Sequence, residues 1–163
     1  MKKNVWLVGC LALVAAAGMA AAADPAPELA AVHAVDDAWL KAFNGGDADT
    51  LAAQYDERAV LLPPGAPAVH GRTAIRAFFA NMISGVTKDG LVFELGANPG
   101  GGVRGDLGWS SGSYAIKDKA GKVVDTGKYL SVSRKKDGKW LYVRDTWNSD
   151  GPPPKEAAAP AKK

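Results

Sequence analysis

The sequence has few residues that bind metals or form disulfides: one cysteine and two histidines among 163 residues. One cysteine excludes an intrachain disulfide, and this composition excludes a structural zinc site of the Cys-rich or Cys/His type. The two histidines lack the spacing of a metal-binding helix, so we predict no metal site. The glycine run 100–102 lies between predicted strands, not between a strand and a helix, so it predicts no phosphate cradle and no cofactor.

The two ends of the chain differ in amino-acid composition from its centre. Residues 1–23 resemble a secretory signal, with two lysines, an apolar stretch over 5–17 and an Ala-Ala-Ala cleavage site. We expect cleavage after Ala23, a periplasmic or secreted protein, and no membrane attachment after cleavage. The alternative is a lipoprotein anchored at Cys10, although only five apolar or small residues precede that cysteine. Residues 151–163, rich in Pro, Ala and Lys, are predicted to form a disordered tail, which leaves 24–150 as one domain.

The basic pI near 9.0 comes from those ends. Of the 20 basic residues, two lie in 1–23 and three in 151–163, and one of the 17 acidic residues lies in the tail. Residues 24–150 therefore hold 15 basic and 16 acidic residues. A nearly neutral domain without a basic face indicates that nucleic acid is not its partner.

The apolar pattern changes along the domain from helical to strand-like. Apolar spacing predicts helices over 27–44, over 48–55 and from about 71–73 onward. Strands are predicted over 59–62, 68–70, 91–95, 106–117, 123–134 and 140–148, with turns at 98–102, 118–121 and 136–138. Three helices followed by a mostly antiparallel meander predict an α+β fold with helices on one face of the sheet.

An ordered set of motifs resembles the nuclear transport factor 2-like superfamily, closest to its SnoaL-like and ketosteroid-isomerase-related bacterial branches. In the first half the motifs are Trp39-x-x-Ala42-Phe43-Asn44-x-Gly46-Asp47, Leu51-Ala52-Ala53-x-Tyr55, Ala59-Val60-Leu61-Leu62-Pro63-Pro64-Gly65 and Gly71-Arg72-x-Ala74-Ile75-x-x-Phe78. In the second half they are Gly105-Asp106-Leu107-Gly108, Thr126-Gly127-Lys128-Tyr129 and Trp140-x-x-Val143-Arg144-Asp145-x-Trp147-Asn148-Ser149-Asp150. The resemblance implies a cone, in which a strongly bent sheet wraps round the first helix and leaves an apolar pocket.

The same resemblance argues against steroid isomerisation. Ketosteroid isomerases use an Asp base and an oxyanion hole made of a Tyr and a protonated Asp. The resemblance places these roles on Pro63, Trp39 and a position at or beside Leu130. None of the three can act as an acid or base near neutral pH. We therefore expect no true ketosteroid isomerase.

Three other residues are candidate acids or bases. Strand alternation puts Leu141, Val143, Asp145 and Trp147 on one face, and the resemblance implies that this face lines the pocket. Asp145 would then be a carboxylate in an apolar setting, or else a structural partner of an arginine or a backbone N–H. Asp36 precedes Trp39 by one helical turn, so it either faces Asp145 or makes a surface or capping contact. His70 is either a third acid/base group or a surface residue.

The residues expected to bind a ligand are mostly aromatic: Trp39, Trp147, Val143, Phe43, Tyr55 and Trp109. They indicate a small hydrophobic or aromatic molecule, bound by an exported domain that is either a plain binder or a cyclase- or isomerase-type acid–base enzyme. The alternative is a non-catalytic interaction module. In that case a homodimer would form through the outer sheet face, where we expect Trp140, Tyr142, Tyr129 and Tyr114.

Overall fold

The computed structural model describes residues 25–151. The predicted signal over 1–23, Cys10, and the predicted tail apart from Gly151 lie outside the described residues. Within the described residues, no helix is long and apolar enough to span a membrane.

Three helices precede most of the sheet. They are α1 (Pro25–Asn44), α2 (Ala48–Ala52) and α3 (Arg72–Asp89). Asp47 begins α2 as an N-cap, because its carboxylate accepts hydrogen bonds from the backbone N–H groups of Asp49 and Thr50. Gly90 ends α3 in the left-handed conformation that glycine adopts without steric cost.

Seven strands form one mixed sheet. They are β1 (Tyr55–Leu62), β2 (Val69–His70), β3 (Val92–Leu95), β4 (Gly100–Arg104), β5 (Leu107–Lys117), β6 (Val123–Lys136) and β7 (Lys139–Ser149). The order is β2-β1-β7-β6-β5-β3, and β4 also pairs with β5. Among the strands of residues 25–151, only the β1–β7 pair is parallel, so the α+β fold with three helices packed on a mostly antiparallel sheet is confirmed.

Two local predictions were wrong. Tyr55 was expected in the second helix, but α2 ends at Ala52 and Tyr55 begins β1 as a fully buried residue. Residues 98–102 were expected to form a turn, but Gly100–Arg104 is strand β4, paired with Leu107–Ser111 of β5. In both places tertiary packing overrides a local preference.

A bulge in β7 overturns the predicted alternation of its faces. Val132 of β6 pairs with Arg144, whereas the next residue, Ser133, pairs with Tyr142. Val143 is therefore an extra residue, and an extra residue moves the following side chains to the opposite face. Tyr142 and Asp145 consequently point to the same side of the sheet, and both are buried.

The predicted outer-face aromatics are accordingly not on the outer face. Trp140 and Tyr142 are buried beneath α1, where each hydrogen-bonds to a carboxylate of that helix. Tyr114 is buried, and Tyr129 reaches Asp36 of α1. The expectation that these four residues form a dimer surface was wrong.

Helix α1 packs closely on one face of the sheet. It contacts β3, β4, β5 and β7, and Val32 at its centre is fully buried. A Cβ atom added to Gly108 of β5 would lie 2.6 Å from Cγ2 of Val32. The glycine therefore lets the helix approach the strand, which places the inward side chains of β5–β7 against the face of α1 that carries Asp36 and Trp39.

Candidate functional site

A cavity of about 50 Å³ lies between α1, α3 and the face of the sheet that α1 covers. Its twelve lining residues are Asp36, Trp39, Phe79, Met82, Phe93, Leu95, Tyr114, Tyr129, Ser131, Tyr142, Asp145 and Trp147. The two carboxylates belong to its buried part, whereas Met82, Leu95 and Trp147 are half-buried and form its outer part. We call the buried part around the two carboxylates the floor of the cavity, and the half-buried apolar part formed by Met82, Leu95 and Trp147 its rim.

Asp145 sits on the floor and is 8% exposed. Tyr55 donates its hydroxyl hydrogen to Oδ2 of Asp145 at 2.6 Å, and Ser131 donates to Oδ1 at 2.8 Å. The indole N–H of Trp39 donates in turn to the Tyr55 hydroxyl at 3.0 Å. Two successive hydrogen bonds therefore connect Trp39 of α1, through Tyr55, to the carboxylate, and the donors Tyr55 and Ser131 hold it in one orientation.

Asp36 sits on the same floor and is 4% exposed. Its Oδ1 accepts hydrogen bonds from Ser110 at 2.9 Å and from Tyr142, and its Oδ2 accepts one from Tyr129 at 3.1 Å. Of the two positions open for Asp36, the structure shows the buried one that lines a cavity with Asp145. The helix-surface alternative is wrong.

Burial raises the pKa of both carboxyl groups above the usual Asp range, because it disfavours the charged form. For Asp145, hydrogen bonds from Tyr55 and Ser131 oppose this rise in pKa, and the charge of Asp36 adds to it. For Asp36, hydrogen bonds from Tyr142, Ser110 and Tyr129 oppose the rise, as does the charge of His33. Two carboxyl groups of raised pKa in one cavity are candidates for proton exchange with a ligand.

The tyrosines stay protonated. Burial and the neighbouring carboxylates raise the pKa of Tyr55, Tyr142 and Tyr129 well above that of a free phenol. Burial, with the charges of Asp125 and Asp150, raises the pKa of Tyr114 to about 12. These phenols therefore act as hydrogen-bond donors in the cavity and not as bases.

The predicted ligand-binding residues fall into three groups. Trp39 and Trp147 line the cavity as expected. Phe43 and Tyr55 are buried and do not line it: Phe43 stacks on Trp39 with centroids 5.0 Å apart, and the Tyr55 hydroxyl bonds to the lining residues Asp145 and Trp39. Val143 does not line the cavity, because it is the bulge residue of β7.

Two predicted site residues lie elsewhere. Trp109 is 44% exposed and sits on the outer side of β5, because the inward positions of that strand are Gly108 and Ser110. His70 is exposed on the edge strand β2, paired with Val60. Neither residue lines the cavity, so the structure does not bring Trp109 and His70 together with the other candidate site residues.

Sequence reasoning missed the hydroxyl donors of the site. Ser110, Tyr129, Ser131 and Tyr142 contact the two carboxylates. Alternation in β6 places Tyr129, Ser131 and Ser133 on one face, and this polar stripe was the available signal. Among residues 25–151, no three His, Cys, Asp or Glu side chains are grouped closely enough to hold a metal ion.

Comparison with known proteins agrees with this geometry. Residues 37–143 match the family model of the SnoaL-like domain. The fold resembles a nuclear transport factor 2-like protein with a cystatin-like fold from Novosphingobium aromaticivorans, with TM-score 0.68 and 19% identity over 76% of this chain and 83% of that one. A search of curated proteins finds no match.

Two further solved structures extend the comparison. A ketosteroid isomerase-like protein from Erwinia carotovora atroseptica is 26% identical, with TM-score 0.58, over 77% of this chain and 98% of that one. A nuclear transport factor 2-like protein of unknown function from Pseudomonas putida has TM-score 0.67 and 18% identity, over 76% of this chain and 87% of that one. The expected superfamily and fold are confirmed.

Proposed function

Because this chain belongs to the SnoaL-like domain family, we propose that it binds a small hydrophobic or aromatic molecule and acts on it as an acid–base enzyme of cyclase or isomerase type. Asp145 is the proposed catalytic group and Asp36 its partner. The observation that carries the proposal is the placement of two buried, hydrogen-bonded carboxylates on the floor of one aromatic-lined cavity. Burial of a carboxylate without a paired cation is costly, and none of the lining residues within 25–151 is Lys, Arg or His, which supports a functional role for the two groups.

The proposed reaction moves a proton and changes no oxidation state. The Asp145 carboxylate takes a proton from one atom of the substrate and becomes a carboxylic acid. The acid then returns that proton to another atom of the same molecule. Tyr55 and Ser131 hold the carboxylate in place through both steps, since each donates to one of its oxygens.

The chain differs from a ketosteroid isomerase in the positions that would carry that chemistry. Pro63 is buried beside the end of β1, and Leu130 is 47% exposed on the outer side of β6. Neither side chain has a proton to transfer. The likeness to a ketosteroid isomerase-like structure therefore supports the architecture of the cavity and not that reaction.

A general proton-transfer reagent tests the proposal without knowledge of the natural substrate. A base removes the C3 proton of 5-nitrobenzisoxazole, the N–O bond breaks, and a coloured cyanonitrophenolate forms while the base keeps the proton. We expect the protein to accelerate this elimination, and Asp145→Asn to lower the rate by about 100-fold or more, the usual contribution of a positioned base.

The matched control for this assay is Asp89→Asn. Asp89 is the last residue of α3 and is exposed, so its substitution by Asn should leave the rate unchanged. No acceleration by the wild-type protein, or equal rates for the wild type and Asp145→Asn, would contradict the assignment of Asp145.

A dimeric interaction module is a second candidate, now with different residues. Leu130 and Leu62 are 47% and 42% exposed and pair with opposite sides of Thr146, and Trp109 is exposed on the same outer face. Such a cluster of exposed apolar side chains is typical of an interface. Analytical ultracentrifugation tests it: Leu130→Glu should convert a dimer to a monomer, whereas Val124→Glu, six residues away along β6, should not. A monomeric wild type would exclude this candidate.

Export is the third element of the proposal and rests on residues 1–23. Expression in a bacterial host, followed by fractionation and N-terminal sequencing, should find a periplasmic or secreted chain beginning at Asp24. Cys10→Ser should leave processing unchanged. A membrane-bound chain that Cys10→Ser releases would instead support lipoprotein anchoring at Cys10.

A further inference from the structure

The charged side chains that line the cavity are all acidic, which bears on the class of ligand. Of its twelve lining residues, Asp36 and Asp145 are acidic and none is Lys, Arg or His. The five ion pairs among the described residues leave both carboxylates out. His33, one turn before Asp36 on α1, lowers the pKa of Asp36 through its charge, and its Nε2 lies 3.3 Å from the carbonyl oxygen of Gly100.

In the side-chain hydrogen bonds on the floor, hydroxyl groups are the donors and carboxylate oxygens are the acceptors. Five hydroxyl groups contact the two carboxylates, and each donates its single hydrogen to a carboxylate oxygen: Tyr55, Ser131, Ser110, Tyr129 and Tyr142. None of these hydrogens is left for a ligand beside the carboxylates. A ligand group on the floor therefore meets carboxyl oxygens whose neighbouring hydroxyl hydrogens are already engaged. This arrangement suits a hydrogen-bond donor, and a cationic donor adds charge pairing because it favours the ionised form of both carboxyls.

The remaining lining reinforces this preference. Seven of the twelve lining residues are aromatic: Trp39, Phe79, Phe93, Tyr114, Tyr129, Tyr142 and Trp147. Aromatic rings attract ammonium groups through their negative faces, most strongly where water is excluded. The volume of about 50 Å³ suits a head group, and the rim of Met82, Leu95 and Trp147 suits an apolar body.

We propose that the ligand of this cavity is a cationic amine, whose ammonium group lies on the floor between Asp36 and Asp145 and whose apolar part packs at the rim. This inference rests on the proposed binding function and specifies its substrate class. The ammonium would donate to the free lone pairs of the two carboxylates. Its positive charge would also offset the cost of removing the carboxylates from water.

Three soluble ligands that share one ring and differ in the head group test the inference: benzylamine, benzyl alcohol and phenylacetate. Binding to the protein is followed by titration of the tryptophan indole N–H signals in NMR spectra. We expect benzylamine to bind at least about tenfold more tightly than benzyl alcohol, and phenylacetate most weakly. Asp36→Asn and Asp145→Asn should each weaken benzylamine by about tenfold and leave benzyl alcohol nearly unchanged, and Asp89→Asn should change neither.

The other outcomes separate the two proposals. Equal or tighter binding of benzyl alcohol, or preference for phenylacetate, overturns the amine inference and leaves a ligand-binding cavity in place. Benzylamine binding that survives both Asn substitutions also overturns it, because the amine then binds elsewhere. No binding of any of the three overturns both the amine inference and the proposed binding function.

Discussion

The hydroxyl of Tyr55 lies 2.6 Å from Oδ2 of Asp145 and donates its hydrogen to it, across 90 residues of sequence. Tyr55 begins β1 and Asp145 lies in β7, and these are the two strands that run parallel. The hydrogen bond favours the charged form of Asp145, while burial favours the neutral form. The balance between them sets the pH at which Asp145 can act as a base.

Removal of that donor should shift the pH dependence of proton transfer. Tyr55→Phe keeps the ring and takes away the hydrogen bond that lowers the pKa of Asp145. The rising limb of the pH–rate profile for 5-nitrobenzisoxazole should therefore move to higher pH. The free energy of unfolding should fall by about 2 kcal/mol, the usual contribution of a hydrogen bond to a charged group.

Tyr142→Phe is the matched comparison, because it removes a donor from Asp36 and leaves the donors of Asp145 intact. It should shift the rising limb of the pH–rate profile less than Tyr55→Phe does. A limb that stays in place in Tyr55→Phe would show that Asp145 does not govern the rate.

Asp145→Asn should separate a catalytic role from a structural one. The Asn amide can still accept from Tyr55 and donate to the Ser131 hydroxyl, and it does not carry the cost of a buried charge. We expect the free energy of unfolding at pH 7 to change by less than about 1 kcal/mol, while proton transfer is lost. A loss of about 3 kcal/mol or more, measured by urea denaturation, would identify Asp145 as a structural group instead.

The two raised pKa values have a consequence for stability. A carboxyl whose pKa is higher in the folded than in the unfolded chain binds more protons when folded. Its contribution is therefore fully present below the unfolded pKa of about 4 and is lost as pH rises through the folded pKa. Urea denaturation from pH 4 upward should show this fall, and the double variant Asp36→Asn/Asp145→Asn should show a smaller one. A wild-type stability that rises over the same interval would contradict the raised pKa values.

Two tryptophans give a matched pair for the cavity. Trp147 lines the cavity, whereas Trp109 lies on the outer side of β5. Trp147→Ala should weaken binding of an aromatic ligand such as benzylamine by about tenfold, because it removes rim surface and a ring that attracts cations. Trp109→Ala should leave affinity unchanged in the same NMR titration. Equal losses in both variants would place the ligand outside the cavity.

The fold was largely predictable because its signals are local. Helical spacing in α1 and α3, and hairpin turns such as the one at Asp137 and Gly138, mark the elements directly. Asp145 could be found from the same alternation combined with the resemblance. The structure confirms that Asp145 lies on the cavity side together with Trp147.

The errors come from features that a single strand does not encode. The bulge at Val143 depends on pairing between β6 and β7, so strict alternation placed Trp140 and Tyr142 on the wrong face. The sequence of α1 alone does not show that Asp36 is buried, because the donors that satisfy its carboxylate come from three different strands. These donors are Ser110 in β5, Tyr129 in β6 and Tyr142 in β7. His70 lies in the strand predicted over 68–70, but its distance from the cavity depends on the pairing of β2 at the sheet edge, which the local sequence does not encode.

The titration of the Asp145 carboxyl carbon, followed by NMR with ¹³C-labelled aspartate and assigned with Asp145→Asn, tests the central claim most directly. The claim predicts a midpoint above the ordinary Asp value of about 3.9. It also predicts that this signal shifts when a ligand fills the cavity, because Asp145 lies on its floor. A midpoint at or below about 3.9, with no response to any cavity ligand, would contradict the claim that Asp145 is a buried acid–base group.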